Sequence, residues 1–293
     1  VAGLEGSGPA RWQRASELAD MLRNERYAEF RQSSAAAQHL ADLLAREIEA
    51  AGAAGGMDSG SLNLRYFLCR ALGEFEVSDG LDVLITAATT QRDKREQWVR
   101  RGAIQGLAML AYKQLHEAGK TELDPTRLEA TLIRLADDQD ELIRSETAFA
   151  LGRLGTPAAL AELETMVDDP HVDTRYNAAV GLAAHGNLAA LDTLAEMLDL
   201  EESASVRQEE LARSQATKRA LIIKNASQAV VHLAQQNAAA DFSAVREALQ
   251  RIVDADAAQL QQARIDQFVV AEARRTLEFL AASRPAGASA RAK

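Results

Sequence analysis

The chain has 293 residues, a formal net charge of -10 and a sequence pI of about 5.1, a balance that argues against broad electrostatic attraction to nucleic acid or to an anionic membrane surface. Apolar residues make up 47% but aromatics only 4%, so alanine and leucine must carry the interior, which suits closely packed helices. One cysteine excludes an internal disulfide and speaks against a thiolate metal site, and nothing in the composition requires an oxidising compartment.

In chain order, residues 1–8 are small and Gly-rich, and a helix is expected to begin after Pro9. Trp12, Ala15, Leu18, Ala19 and Leu22 fall on one helical face with Met21 beside it, and Ala37, Leu40, Leu44 and Ile48 define a second helix after the break at residues 32–34. Residues 1–51 are thus expected to form an N-terminal helical cap. Residues 52–61, rich in Gly, Ala and Ser, are expected to be a linker.

One pattern then recurs. Ile143-Arg144-Ser-Glu-Thr147-Ala148-Phe-Ala150-Leu151-Gly152 is matched by Leu64-Arg65 through Gly73, by Val99-Arg100 through Ala108, and by the run from Arg175 to Leu182. Arg144 and Arg175 stand 31 residues apart. A unit of that length holds two short helices that cannot bury their own apolar stripes, so it must stack on copies of itself. In the two clearest copies the second helix has Leu160, Leu163, Val167, Leu191, Leu194 and Leu198 as expected core. Glu162, Glu164, Thr165, Asp192, Thr193 and Glu196 are expected to point outward.

Beyond Asp199 the charged, Gln-rich stretch 200–218 reads as a longer helix or an inserted turn. Helical periodicity continues at 223–233, 245–253 and 268–280 without the arginine, as terminal capping units predict. Residues 62–282 are accordingly expected to form the repeat array, and 283–293, with Pro285 and Gly287, a disordered tail. The longest uncharged run, 225–240, contains Asn, Ser, His and Gln and is too short and polar to span a bilayer. No basic and apolar leader follows Val1, so no signal peptide is visible and a cytoplasmic location is expected.

The run Val/Ile-Arg-x-x-Ala-Ala-x-Ala/Gly-Leu-Gly/Ala, followed by spaced leucines, resembles the HEAT-like repeat of the phycobilin lyase type. The resemblance implies an all-α, right-handed α-α superhelix, a HEAT/armadillo-like solenoid of about six helical pairs. It also implies a ladder in which Arg65, Arg100, Arg144 and Arg175 bond inter-repeat turns, with Asp137, Asp138, Asp168 and Asp169 as partners. Gly152, Gly155 and Gly186 would end first helices at positive φ. Ala148, Ala150, Ala178 and Ala179 would be small where helices cross.

Candidate chemistry is sparse. His116-Glu117 is similar to the His-Glu pairs of HEAT-type deoxyhypusine hydroxylases. Such a di-iron site needs several pairs, and His39, His171, His185 and His232 lack a following acid, so no metal and no cofactor is expected. His171 and His185 read as turn residues, solvated or bonded to backbone. Cys69 occupies the register of Ala148 and reads as a buried, unactivated thiol. The basic cluster 92–101 reads as the start of a helix with Trp98 buried. An acidic strip of Glu162, Glu164, Asp192 and Glu196 on the second helices, taken to line the concave surface, would suit a basic protein segment. The expected function is a non-catalytic scaffold or adaptor with a protein partner. A bilin lyase-like enzyme and a nucleic-acid-lesion binder, the latter unexpected for so acidic a chain, stand as alternatives.

Overall fold

The computed structural model describes residues 2–4, 10–53, 58–117, 123, 125–201, 204–207, 209 and 211–283. Among them every regular element is helical and there is no strand, and no helix is long and apolar enough to cross a membrane. The chain divides into two compact units, Val1–Ala159 and Leu160–Lys293. The N-terminal helices belong to the first unit together with the early repeats.

The first unit contains α1 (Arg11–Leu22), the single turn α2 (Ala28–Arg31), α3 (Ser34–Ala53), α4 (Ser59–Gly73), α5 (Leu81–Thr89), α6 (Glu96–Tyr112), α7 (Pro125–Ala136) and α8 (Glu141–Leu154). Several starts are written in the sequence. The Asp58 carboxylate accepts from the amide of Ser61, and Asp140 accepts from Leu142 and Ile143, bonds worth about 1 kcal/mol each to a helix that otherwise begins with orphaned donors. The expected linker is narrower than 52–61, because α3 runs to Ala53 and α4 opens at Ser59; residues 54–57 lie outside the described residues. The polar stretch from Lys113 to Arg127 is helical at both ends. Lys113–Glu117 continues α6 as a π-helical turn, and Pro125 opens α7 at the position where a missing amide donor does no harm.

Two layers result in this unit. Helices α1, α4, α6 and α8 touch one another in sequence along their lengths, whereas α3, α5 and α7 lie behind them and scarcely touch each other. The close layer is that of the arginine-bearing first helices. In this unit the tighter side is therefore not the second-helix side, to which the sequence reading assigned the inner surface. The reason is residue size. A methyl on Gly73 would stand 2.5 Å from Cα of Gly106, and one on Gly106 would stand 2.5 Å from the Cys69 carbonyl oxygen, so α4 and α6 cross with their backbones in contact.

Helix α9 (Pro157–Met166) spans the division between the units. The second unit continues with α10 (Val172–Ala184), α11 (Leu191–Met197), α12 (Ala204–Arg207), α13 (Ala212–Gln236), α14 (Ser243–Asp254), α15 (Ala257–Gln262) and α16 (Gln267–Ala282). Here α10, α13 and α16 pack in order, with α11 and α14 on the other side. The stretch 200–218 resolves into the short α12 and the first turns of α13, which is 25 residues long. Helix α15, which periodicity did not announce, is set by a capping box: Asp256 accepts from the amide of Gln259, whose side chain accepts from the amide of Asp256. The expected tail lies outside the described residues beyond Ser283.

The seam alanines Ala148, Ala150, Ala178 and Ala179 are fully buried. Gly155 and Gly186 have φ of 65° and 73°. Gly152, expected to share that role, instead lies inside α8 with an ordinary helical backbone, since one left-handed residue suffices to end the helix. Thr193, expected outward, is buried with Ala190, Leu194 and Met197, an i, i+3, i+4, i+7 set that puts it on the covered face of the helix.

Candidate functional site

The four register arginines reach turns and carboxylates, in two different ways. Arg65 in α4 donates from Nη1 to both carboxylate oxygens of Glu96, at 2.8 and 3.0 Å. Both side chains are sealed from solvent, at 0% and 1% exposure. Arg100 donates from Nε to the carbonyl of Ala88 at 2.9 Å and pairs with the Asp138 carboxylate across to the next repeat. Arg144 and Arg175 mainly close their own entry turns. Each donates from Nη1 to the carbonyls six and five residues earlier, Asp138 and Gln139 at 2.9 and 3.4 Å, and Asp169 and Pro170 at 3.0 and 3.4 Å. Asp169 therefore serves Arg175 through its carbonyl, while its carboxylate accepts from the His171 amide at 2.7 Å.

Asp138 is the node of this arrangement. Its carboxylate takes Arg100 and the amide of Asp140, and its carbonyl takes Arg144. Partial burial works against its ionisation, but the Arg100 guanidinium and the Asp140 amide outweigh that and hold the carboxyl below the ordinary aspartate range. A polar hollow of about 330 Å³ opens over Arg100, with Lys94, Gln97 and Gln139 among its walls. Glu96 was missed by the sequence reading. The signal was present: it precedes Arg100 by four residues at the start of a helix.

The basic cluster departs from expectation most. Trp98 is 41% exposed, not buried. Residues 98, 101, 105 and 112 repeat on one face of α6 and are among its few positions that are not buried. The Trp98 ring stacks on Tyr66 at 4.3 Å between centroids, Tyr66 meets Phe67 edge-on at 5.0 Å, and Phe67 stacks on Trp12 at 6.1 Å. The Arg101 guanidinium lies 6.0 Å from the Trp98 ring centre and bonds Glu146 at 2.8 Å. Gln105 donates to the same carboxylate at 2.8 Å. Arg70 donates to the Tyr66 hydroxyl at 3.1 Å and to Gln105 at 3.3 Å. Arg153 lies over the rings of Tyr112 and Phe149 at 4.7 and 5.2 Å.

The acidic strip is only partly as expected. Glu164 and Asp192 are exposed and Glu162 is half-buried. None of the three makes an ion pair among the described residues; Glu164 accepts from Asn187 at 2.6 Å, and Glu162 from Thr165 at 3.3 Å. Glu196 is different: Arg175 donates to it at 2.6 Å and the Tyr176 hydroxyl at 3.3 Å. The strip thus has a cation at that end, because the antiparallel turn returns the end of α11 to the start of α10.

Cys69 is fully buried, and that burial pushes its thiol well above the ordinary range. His171 is also buried, with Nδ1 3.0 Å from the Thr174 hydroxyl. It is neither solvated nor bonded to backbone through its ring as the sequence suggested, since the first turn of α10 folds over it. The side chains of His116 and Glu117 lie outside the described residues. No three His, Cys, Asp or Glu side chains gather in a metal-binding group among the described residues.

Comparison with known proteins agrees on architecture. Residues 128–214 match the family model described as HEAT repeats. Comparison with curated proteins gives no match. Among solved structures, human deoxyhypusine hydroxylase in complex with glycerol is similar over 94% of this chain and 100% of that one, at 18% identity and a TM-score of 0.30. That likeness is too loose to carry an argument about activity. Helices alone among the described residues and the match to HEAT repeats at residues 128–214 define an all-α helical-repeat architecture.

Proposed function

We propose that this protein is a non-catalytic scaffold or adaptor that holds a protein partner against the faces of its helices, and that its acidic strip takes a basic segment of that partner. The observation that carries the reading is the set Glu162, Glu164 and Asp192 in the second unit, carboxylates that no cation of the described residues neutralises. Complementary charge of that kind chiefly speeds encounter. Repeat arrays suit the role because their surfaces are extended and built from rigid elements. The reading places the protein in a reducing, cytoplasmic setting, supported by a single cysteine that is buried as a thiol. The lyase alternative rests on the resemblance of the repeat motif, and no side-chain arrangement described above supports it.

The test begins with partners purified on the full chain from its native source and identified by mass spectrometry. Converting Glu162, Glu164 and Asp192 together to lysine is expected to slow association with the partner and to weaken its salt dependence. Association unchanged in rate and in salt dependence would remove the acidic strip from the function. A visible absorption change on mixing with a bilin and its acceptor protein would replace the scaffold reading with the lyase one.

A further inference from the structure

The chain has two tryptophans, four tyrosines and seven phenylalanines. Both tryptophans, Tyr66 and Phe67 form one series of stacked and edge-on rings on the first-helix layer of the first unit, and farther along that layer Tyr112 and Phe149 share Arg153. In a chain so poor in aromatics this is a concentration at one face. It is a cationic face inside an acidic protein. The only carboxylate of α4 and α6, Glu96, is buried against Arg65, while Arg70 and Arg101 stand at the surface side with Trp98. Helix α8 carries Glu141 and Arg144 in its first turn, then Glu146, which Arg101 and Gln105 already hold, and Arg153. Among the described residues Arg70 bonds the neutral Tyr66 and Gln105 and pairs with no carboxylate.

The geometry points to a second docking surface, separate from the acidic strip: the Trp98–Arg70–Arg101 face binds an acidic peptide segment that carries an apolar or aromatic anchor. The anchor covers the open side of Trp98. Tyr66 already backs its other side, so little side-chain freedom is lost on binding. Tryptophan, tyrosine and arginine are the residues in which interface energy concentrates when they are held rigid. Arg70, fixed by the Tyr66 hydroxyl and Gln105, offers its remaining N–H groups to a carboxylate. A short acidic segment meets these local cations, whereas a polyphosphate strand would meet the field of a chain of net charge -10 along its whole length. The face therefore favours a peptide over single-stranded nucleic acid.

The experiment selects a random peptide library displayed on phage against the full chain, then measures selected peptides against Trp98→Ala, Trp98→Phe, Arg70→Glu and Arg70→Gln. Circular dichroism melts confirm that each variant is folded. Selected peptides are expected to be net acidic with an aromatic or large apolar residue. They should lose about tenfold or more in affinity with Trp98→Ala and with Arg70→Glu, and less with Trp98→Phe and Arg70→Gln. Peptides without acidic bias, affinity indifferent to both positions, or no selected peptide would overturn the proposal. So would an oligothymidylate that binds more tightly than the peptides and loses affinity with Trp98→Ala, an outcome that assigns the face to nucleic acid. The lysine triple variant of the acidic strip should leave this binding intact, which separates failure here from failure of the basic-segment reading.

Discussion

Arg65 and Glu96 face each other as a two-contact ion pair from which solvent is fully excluded, with Nη1 2.8 and 3.0 Å from the two carboxylate oxygens. Among the described residues Arg65 Nε and Nη2 are buried without a hydrogen-bond partner. The pair joins successive arginine-bearing helices, α4 and α6; Arg92, 3.8 Å from Glu96 and partly exposed, is a more distant second counter-charge, so the buried carboxylate rests chiefly on Arg65. Arg65→Met should therefore strand Glu96 as a buried charge and destabilise the protein by about 3–5 kcal/mol, whereas Arg65→Met with Glu96→Leu should recover most of that loss. Urea unfolding of the two variants decides it; a double variant no more stable than the single one would contradict the argument.

Asp138 gives a pH dependence whose sign is fixed. Its folded carboxyl lies below the ordinary range despite burial, through Arg100 and the Asp140 amide. A depressed folded pKa contributes stability that is present above the unfolded value of about 3.9 and disappears as pH falls through the folded value. Asp138→Asn should remove that contribution and flatten the acid limb of stability below about pH 4. Thermal melts from neutral to acid pH measure the limb; equal slopes for the two proteins would show that the node is not coupled to folding.

The α4–α6 crossing predicts a strict size limit. Gly106→Ala places a methyl 2.5 Å from the Cys69 carbonyl oxygen, against backbone that cannot swing aside. Overpacking of this kind costs about 1–3 kcal/mol and should exceed the gain of about 1 kcal/mol that alanine brings to a helix. A lowered Tm is expected, and an unchanged or raised one would mean that the two helices can part.

Gly155 and Gly186 carry a different restriction. With φ of 65° and 73°, alanine at either is expected to lower stability by about 1–2 kcal/mol through strain alone. Gly152, helical within α8, should accept alanine without that backbone strain. Denaturation midpoints of the single variants distinguish the two cases.

Cys69 should be unreactive in the folded protein. It is fully buried, and that burial holds the thiol protonated, so a water-soluble disulfide reagent should label it only at the rate at which its surroundings open. Rapid stoichiometric labelling under native conditions would refute the assignment.

What the sequence determined by itself is periodic. The spacing of Arg65, Arg100, Arg144 and Arg175, the seam alanines, and the glycines Gly155 and Gly186 each answer to neighbours a fixed number of residues away, so a one-dimensional pattern can hold them. The repeat pattern also named Asp138 among the acids the arginines would meet, and the packing of α6 assigned it to Arg100. The direction in which a face looks emerges when the helices pack. Trp98 reads as buried until the first helices close on one another and leave one flank of α6 uncovered, and Glu196 reads as free until the turn back from α11 brings it to Arg175. The spacing of Glu96 four residues before Arg100 showed it only as a neighbour of that arginine, not as the partner of Arg65. A carboxylate 31 residues away becomes its counter-charge only when α6 is laid against α4, and the closeness of that contact is set by Gly73 and Gly106 rather than by any charge pattern.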